Sequence, residues 1–489
     1  MCFFLIFRMI GLLVIFFSFT ISIPYTLSLV YSDHIDKVFS TTFLITFIIG
    51  LFLWLPTRNI KGNIHKREAF VVVVLFWIVC GSIGSLPFIL YEKLNISITD
   101  AFFESFSGLT TTGSTTLIFL DLFPKSLLFY RQMLQWFGGI GIVVLFLVIS
   151  PYLGVNGMHL YKAEIIGSLK NSKMVPRVYN MAKSLLYIYC CLTVFCTLLF
   201  WIFGMSLFDA VAHSLSTVSM GGFSTHDSSM GYFNNQNINI ITSFFLILSS
   251  CNYTLHFIYL KNKNVFLYWK DIELKIFIYV NFILFIIFFL FLYYNRCNDF
   301  SSIVIDRLLF QIFFIESTVG FTIENFSSWP AYFSILLFFS ACVGGCSGSM
   351  TGGIKIIRFI LLFKQFVREI KRVIHPYALY NISISNVTFS TRLLDSVWVF
   401  FFTYFLLFFL GILSLMATGV DTFSAFSAII SSLNNLGLGL GVLVDNFKYI
   451  NDTAKWILIL MMIFGRLEIF ALLVFFSPIY WKECFINRK

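Results

Sequence analysis

Charge is what this chain lacks. Of its 489 residues only 33 are Lys or Arg and 23 are Asp or Glu, 11% in all, against about 25% in soluble domains. A soluble fold of this length needs a polar surface that so few charges cannot supply. A disulfide framework is missing too. The ten Cys are scattered, several of them inside apolar runs (Cys80, Cys190, Cys191, Cys196), which is poor placement for cross-links. There is no clustered basic arm and no helix-turn-helix pattern, so the net charge of +10 does not point to nucleic acid. The first apolar run has no small-residue cleavage site after it, and a retained helix is expected there. No catalytic triad, zinc-ligand spacing or phosphate loop is present, which argues against an enzyme. His213 and His226 lack Cys or carboxylate neighbours at ligand spacing, which argues against a metal site.

What the chain has in excess is apolar surface: 59% hydrophobic residues, 64 of them Phe, and a mean hydropathy of +0.90. A bilayer core about 30 Å thick takes roughly 20 apolar residues as a helix. Runs of that kind fall near 9–31, 39–55, 69–91, 127–153, 184–205, 238–260, 276–294, 331–366, 396–417 and 456–479. The expected fold class is therefore an all-α integral membrane protein with ten transmembrane helices. Trp54, Trp77, Trp136, Trp201 and Trp456 lie near run ends and read as interfacial anchors. With the N-terminus inside, 24 of the 33 basic residues fall on the inner side and 15 of the 23 acids on the outer side. The positive-inside rule then places both termini in the cytoplasm, and the basic excess is a matter of topology.

Four shorter segments, near 100–112, 209–221, 307–319 and 424–436, lie between spanning runs. At about 13 residues they are too short to cross and read as re-entrant; a buried loop helix outside the membrane is the other reading. They align without gaps as DAFFESFSGLTTTGS, DAVAHSLSTVSMGGF, RLLFQIFFIESTVGF and SAFSAIISSLNNLGL, and a glycine falls in the same column of each: Gly113, Gly222, Gly320 and Gly437. The predicted architecture is four helix–re-entrant pore loop–helix repeats. Asp100 and Asp209 are candidate N-caps. A helix entering from outside aims the negative end of its dipole at the membrane centre, which favours a cation. The strip that follows returns outward, and glycine supplies the backbone angles it needs. Irregular backbone at that depth is tolerated when it lines a wet cavity, and four strips around one axis form rings of carbonyls that replace an ion's hydration shell. The candidate filter is Thr111, Thr112 and Gly113; Met220, Gly221 and Gly222; Thr318, Val319 and Gly320; Asn435, Leu436 and Gly437. Helix-packing glycines are the competing reading.

Several stretches carry a resemblance: SGLTTTGST (107–115), RQMLQWFGGIGI (131–142), GGFSTHD (221–227), GGCSGSMTGGIKIIR (344–358), NNLGLGLG (434–441) and GRLEIFALLVFFSP (465–478). The chain resembles the K+ transporter superfamily that includes the TrkH, KtrB and plant high-affinity K+ transporter families, and within it the TrkH family, whose extra N-terminal helix pair it shares. The resemblance implies a homodimeric K+ uptake channel of the bacterial inner membrane, gated by a cytoplasmic subunit, TrkA. Nucleotide, NAD(H) or ATP, is then expected on that partner, and this chain is expected to bind no cofactor, only K+ as permeant ion. Leu438 stands where relatives often have Pro, and one glycine per repeat leaves strong discrimination of K+ over Na+ open. An H+- or Na+-coupled symporter on the same fold is the alternative function, for which Glu104, Glu316 and Glu468 are the available carboxylates.

The eighth run is interrupted by Gly344, Gly345, Gly348, Gly352 and Gly353. Five glycines in ten residues cannot stay helical in a bilayer unless they face protein or water. The resemblance implies that this stretch is the intramembrane loop that obstructs permeation; a packing kink is the alternative, and Ile354 where a phosphate loop needs lysine rules that motif out. Arg466 lies within the last run, two residues before Glu468, and an intramembrane charge is a functional candidate by default. The resemblance implies that it lies below the filter as a barrier or a holder of the gate loop; a structural ion pair with Glu104 or Glu316 is the competing reading. Lys364, Arg368, Lys371 and Arg372 read as lipid-headgroup contacts, with a TrkA docking surface as the second reading. The expected divisions are an N-terminal two-helix extension over 1–67 and pore repeats over 68–183, 184–275, 276–392 (with the gate loop) and 393–489.

Overall fold

The computed structural model describes residues 2–60, 66–153, 178–294, 302–323, 331–378, 380–384, 387–389, 391–444, 446–467 and 469–478. The chain is built almost entirely of helices. In order they are α1 (Cys2–Thr20), α2 (Ser22–Tyr31), α3 (Asp36–Trp54), α4 (Lys66–Gly84), α5 (Leu86–Leu90), α6 (Ile98–Leu109), α7 (Lys125–Leu153) and α8 (Val178–Ile202). There follow α9 (Leu207–Ser219), α10 (Gln236–Ser250), α11 (Tyr253–Asn262), α12 (Phe266–Lys270), α13 (Ile272–Tyr294) and α14 (Ser302–Glu316). The last are α15 (Ala331–Ala341), α16 (Ile356–Ile374), α17 (Thr391–Ala417), α18 (Thr422–Asn434), α19 (Asp452–Arg466) and α20 (Phe470–Phe476). A two-stranded hairpin, β1 (Ser383–Ile384) with β2 (Val387–Thr388), lies between α16 and α17.

Among the described residues six helical stretches are long and apolar enough to cross a bilayer: Phe4–Tyr31, Asp36–Thr57, Phe70–Leu90, Lys183–Ile202, Ile272–Leu290 and Leu394–Ala417. The protein is therefore an all-helical integral membrane protein. Three of the ten expected runs are not single continuous spans. The sixth bends by 92° between α10 and α11. The cause is polar: Asn252 caps α11, its Oδ1 accepting from Thr254 N at 2.9 Å and Thr254 Oγ1 at 2.6 Å, which ends the helix inside an otherwise apolar run. The eighth is split into α15 and α16 by the glycine cluster, and the tenth breaks between Arg466 and Phe470. The first run begins earlier than hydropathy suggested, so Arg8 lies inside α1 and donates to Ile60 O at 2.6 Å.

The four short segments are all helical: α6, α9, α14 and α18. Their N-caps sit three residues before the aspartates proposed from sequence. Ser97 Oγ accepts from Asp100 N at 3.0 Å and Ser206 Oγ from Asp209 N at 3.1 Å, while each aspartate carboxylate accepts from the serine hydroxyl in return. The pairing resembles a capping box, with the carboxylate taking the serine hydroxyl in place of the N-cap N–H. Asp421 caps α18 by accepting from Ser424 N at 3.0 Å.

The helix after each short helix packs against that one and against the next in turn. α7 touches α6 and α9, α10 touches α9 and α14, α15 touches α14 and α18, and α19 touches α18 and α6. The last contact returns to the start, so the four short helices are set around one axis. The N-terminal pair lies outside this ring. α1 and α3 cross closely at Gly11 and Gly50, where a Cβ on Gly11 would meet Trp54 N at 2.8 Å, a small-residue contact of the kind that lets membrane helices approach.

Candidate ion pathway and gate

Each short helix ends the same way. The residue two before the glycine has a left-handed backbone although it is not glycine: Thr111 (φ 55), Met220 (φ 58), Thr318 (φ 59) and Asn435 (φ 51). The next N–H folds back onto the helix, Thr112 to Ser107 O (2.9 Å), Gly221 to Ser216 O (2.9 Å), Val319 to Phe314 O (3.2 Å) and Leu436 to Ser431 O (2.8 Å). This is a Schellman-type termination. The column glycines then also take positive φ: Gly113 (87), Gly222 (80), Gly320 (79) and Gly437 (90). Each helix is therefore stopped and its strip turned by one three-residue device, used four times.

The glycines are in close contact with the adjoining strips. A Cβ on Gly113 would lie 2.2 Å from Gly221 O; on Gly222, 1.9 Å from Val319 O; on Gly320, 1.9 Å from Leu436 O; and on Gly437, 2.3 Å from Thr112 O. Every one of those oxygens belongs to the residue before the next glycine, and the fourth contact returns to the first strip. The structure thus gathers all twelve sequence-predicted filter residues into one closed ring. Among the described residues, Thr112 O, Val319 O and Leu436 O accept no hydrogen bond. Gly221 O differs, because Gln135 Nε2 donates to it at 2.6 Å while Gln135 Oε1 accepts from Phe223 N at 3.1 Å and Ser216 Oγ at 2.8 Å. In the sequence Gln135 is one residue of the stretch 131–142 and carries no signal of this role. Asn435 Nδ2 crosses from the fourth strip to Thr112 Oγ1 at 2.9 Å and also donates to Met462 O at 3.1 Å.

The glycine cluster packs against this ring. Gly352 N donates to Thr318 Oγ1 at 2.8 Å, and a Cβ there would be 1.8 Å from Asn434 O. Positive φ angles at Gly344 (64), Gly348 (74), Gly353 (76) and Lys355 (77) give the loop its turns. Gly345 takes another role, its N–H donating to Thr351 Oγ1 at 3.1 Å. The carbonyls freed by the α10–α11 bend receive the loop, Ser250 O accepting from Cys346 N at 3.1 Å and Ser249 O from Met350 N at 3.4 Å. Lys355 folds its ammonium into the loop, Nζ lying 2.5 Å from Thr351 O and 3.3 Å from Ser349 O. Glu273 Oε2 accepts from Ser347 N at 2.6 Å. Neither the bend nor these two charges was anticipated from sequence, since hydropathy counting runs straight through Ser249–Asn252.

Arg466, 8% exposed, reaches the loop and the helix behind the first strip, donating to Met350 O at 3.2 Å and Gly138 O at 3.1 Å. Its guanidinium also lies 5.8 Å from the Trp77 ring. Glu468 lies outside the described residues. Glu104, one of the partners considered for Arg466, is instead paired with Arg131 at 2.6 Å, and Glu316 shows no polar partner among the described residues. Trp77 is buried at 1% exposure, and Trp136 donates to Thr193 Oγ1 at 3.0 Å, so these two are packing residues and not interfacial anchors. Arg131 and Lys455 are buried in ion pairs with Glu104 and, at 2.6 Å, with Asp100.

On the loop after the second strip, His226 Nδ1 lies 2.5 Å from Asp121 Oδ1 and Nε2 3.5 Å from Asp209 Oδ1, and the ring stacks on Tyr232 at 3.5 Å. Burial alone would depress the imidazole, but its bonds to Asp209 and Asp121 outweigh burial and hold it above its ordinary value. Burial likewise would raise Asp209, yet hydrogen bonds from His226, Ser206 and Thr225 bring it well below the usual carboxylate range. Among the described residues no group of three His, Cys, Asp or Glu side chains is arranged to hold a metal ion.

Comparison with known proteins gives the same answer at three levels. Residues 35–483 match the TrkH family, described as a cation transport protein. The chain is 51% identical over 476 residues to the Trk system potassium uptake protein TrkH of Escherichia coli K12, covering 97% of this chain and 99% of the relative. It is 35% identical over 480 residues to the TrkG protein of the same organism, covering 97% and 98%. The crystal structure of the potassium transporter TrkH from Vibrio parahaemolyticus superposes with a TM-score of 0.89 at 47% identity, covering 98% of this chain and all of that one. The chain belongs to the TrkH family of cation transport proteins.

Proposed function

We propose that this chain is the K+-conducting subunit of a potassium uptake system in the bacterial inner membrane, with both termini in the cytoplasm. The observation that carries the reading is the closed ring, in which four glycines each abut the carbonyl of the next strip. Carbonyls at such a constriction replace the water around a permeating cation. Relatives aligned over nearly their whole length are named for potassium uptake. An inward step of one cation is worth about 2.3 kcal/mol per 100 mV, so an inside-negative cell accumulates K+ through a passive pore. Four helix–re-entrant loop–helix units, over 68–183, 184–275, 276–392 and 393–489, are the arrangement that best accounts for the ring, with residues 1–67 as an added helix pair and ten crossings in all.

The loop 344–353 is the gate in this reading, seated against Thr318 and Asn434 with Arg466 as its latch. A cytoplasmic TrkA-like subunit that carries the nucleotide would move it, and the conducting unit would be a homodimer of this chain in the lipid bilayer, with K+ its only bound ion. Coupled symport is the second reading, supported by Glu316, a buried carboxylate without a polar partner among the described residues; currents that reverse at the K+ equilibrium potential whatever the pH and Na+ would dismiss it. The decisive experiment is growth of cells lacking K+ uptake systems on limiting K+, with and without TrkA. Rescue that needs both proteins is expected. Failure of a well-inserted protein to rescue growth would refute the assignment.

A further inference from the structure

Behind the ring, each short helix carries a polar side chain that reaches the strip on its way out. Three of these share one position, nine residues before the column glycine: Glu104, His213 and Gln311. Glu104 Oε2 accepts from Thr116 N at 3.1 Å and from Thr115 Oγ1 at 3.1 Å. His213 Nδ1 meets Asp209 O at 3.0 Å, so that nitrogen bears the proton and Nε2 accepts from Ser224 Oγ at 3.0 Å. Gln311 Oε1 accepts from Ile323 N at 3.2 Å and Nε2 donates to Phe321 O at 3.4 Å. In the fourth unit the position is Ala428, and Ser427, one residue earlier, accepts from Leu440 N at 2.9 Å. The atoms fastened all belong to residues one to three places beyond the glycine. All four struts are almost wholly inaccessible, none more than 2% exposed.

We propose that this column sets the cation selectivity of the ring, with Glu104, His213, Gln311 and Ser427 as positioning residues that hold the strip spacing without touching the ion. The inference rests on the conduction reading above and adds its specificity. One way in which carbonyls that solvate K+ reject a smaller cation is by resisting closing in, and that resistance comes from what lies behind them. A buried strut is hard to give up, since the strip N–H or carbonyl it satisfies has no water to turn to. The struts are also unequal. Glu104 is braced by Arg131, whose Nη1 also reaches Ser224 O at 3.3 Å and so links the first strip to the second. Among the described residues Gln311 makes two long bonds and has no charged brace behind it.

The test is cation flux through full-length purified protein in liposomes, comparing K+ with Na+ in four variants. Ser427→Ala removes the acceptor for Leu440 N, Ser427→Thr keeps it, and Gln311→Met removes both bonds at nearly constant volume. Thr242→Val is the control, since Thr242 is equally buried and among the described residues its hydroxyl bonds only within its own helix, to Ile238 O. The K+/Na+ flux ratio should fall about fivefold in Ser427→Ala, the effect of one hydrogen bond lost from the strip, and at least as far in Gln311→Met, which loses two. It should return in Ser427→Thr and be unchanged in Thr242→Val. Unchanged ratios in the first two, an equal fall in the control, or folded variants with no flux for either ion would overturn the proposal. If Gln311→Met does not fold, the Ser427 pair decides alone. A wild-type protein that carries no K+ counts against the conduction reading instead, which separates the two failures.

Discussion

Substituting Gly222 by alanine places the new Cβ 1.9 Å from Val319 O at φ 80. Two costs arise, and they differ in kind. The left-handed backbone alone costs a non-glycine residue roughly 1–2 kcal/mol, and the neighbouring column shows that the fold tolerates it, since Thr111, Met220, Thr318 and Asn435 already adopt it. The collision costs more. Ordinary van der Waals contact begins near 3.4 Å, so the oxygen must retreat by about 1.5 Å, whereas a binding constellation works only within about 0.5 Å of its geometry. Val319 O is a member of the ring, so the retreat falls on an oxygen that the proposed pathway offers to the ion. The matched control is Gly204→Ala, at φ 106 with nothing within 4 Å of the new Cβ, which carries the backbone cost without the collision. In cells lacking other K+ uptake, at equal membrane abundance, Gly222→Ala and Gly320→Ala should abolish Rb+ or K+ uptake, while Gly204→Ala should stay near the wild-type rate. Uptake by Gly222→Ala as fast as by Gly204→Ala would refute the claim that the ring oxygens are the conduction path.

Gate substitutions should act in the opposite direction. Gly352→Ala sets a Cβ 1.8 Å from Asn434 O and should unseat the loop, raising K+ flux measured without TrkA; a fall in flux in the folded variant would contradict the gate reading. Arg466→Ala removes the bonds to Met350 O and Gly138 O and should raise TrkA-independent flux as well, with unchanged or lost flux counting against the latch. The His226 cluster predicts a pH effect on stability. Its folded value lies above the ordinary value of 6.5, so its contribution is complete at pH below 6.5 and is lost as pH rises through the folded value. Thermal unfolding of detergent-solubilised protein should show this loss, and His226→Asn should remove it; an identical pH profile in the variant would contradict the ion-pair assignment.

Much of the site was legible because its chemistry is local. A glycine in one column of four gapless segments marks a backbone conformation that recurs, and the structure puts those four glycines in mutual contact through the preceding carbonyls. The short length of α6, α9, α14 and α18 followed from their apolar runs in the same way. Less visible were features that depend on partners far along the chain. Asn252 breaks an apolar run because its side chain competes for helix N–H groups, and hydropathy averages over one such residue. Arg131 and Lys455 look like surface charges until their partners Glu104 and Asp100, 27 and 355 positions away, are brought beside them by folding. The left-handed residues two before each glycine carry no glycine to announce them, and their identities (Thr, Met, Thr, Asn) share no chemistry. The strut column was present in the same alignment, nine places before the glycine, but Glu, His and Gln share only the ability to hydrogen-bond, and that was visible only once the returning strips were in place.

The central claim is that one ring of main-chain oxygens surrounds the permeating ion. Anomalous diffraction from crystals of this protein grown in Rb+ tests it most directly. A peak on the ring axis within coordination distance of the carbonyls of Thr112, Val319 and Leu436 is the predicted result. Rb+ bound elsewhere, with that axis empty at saturating concentration, would contradict the account.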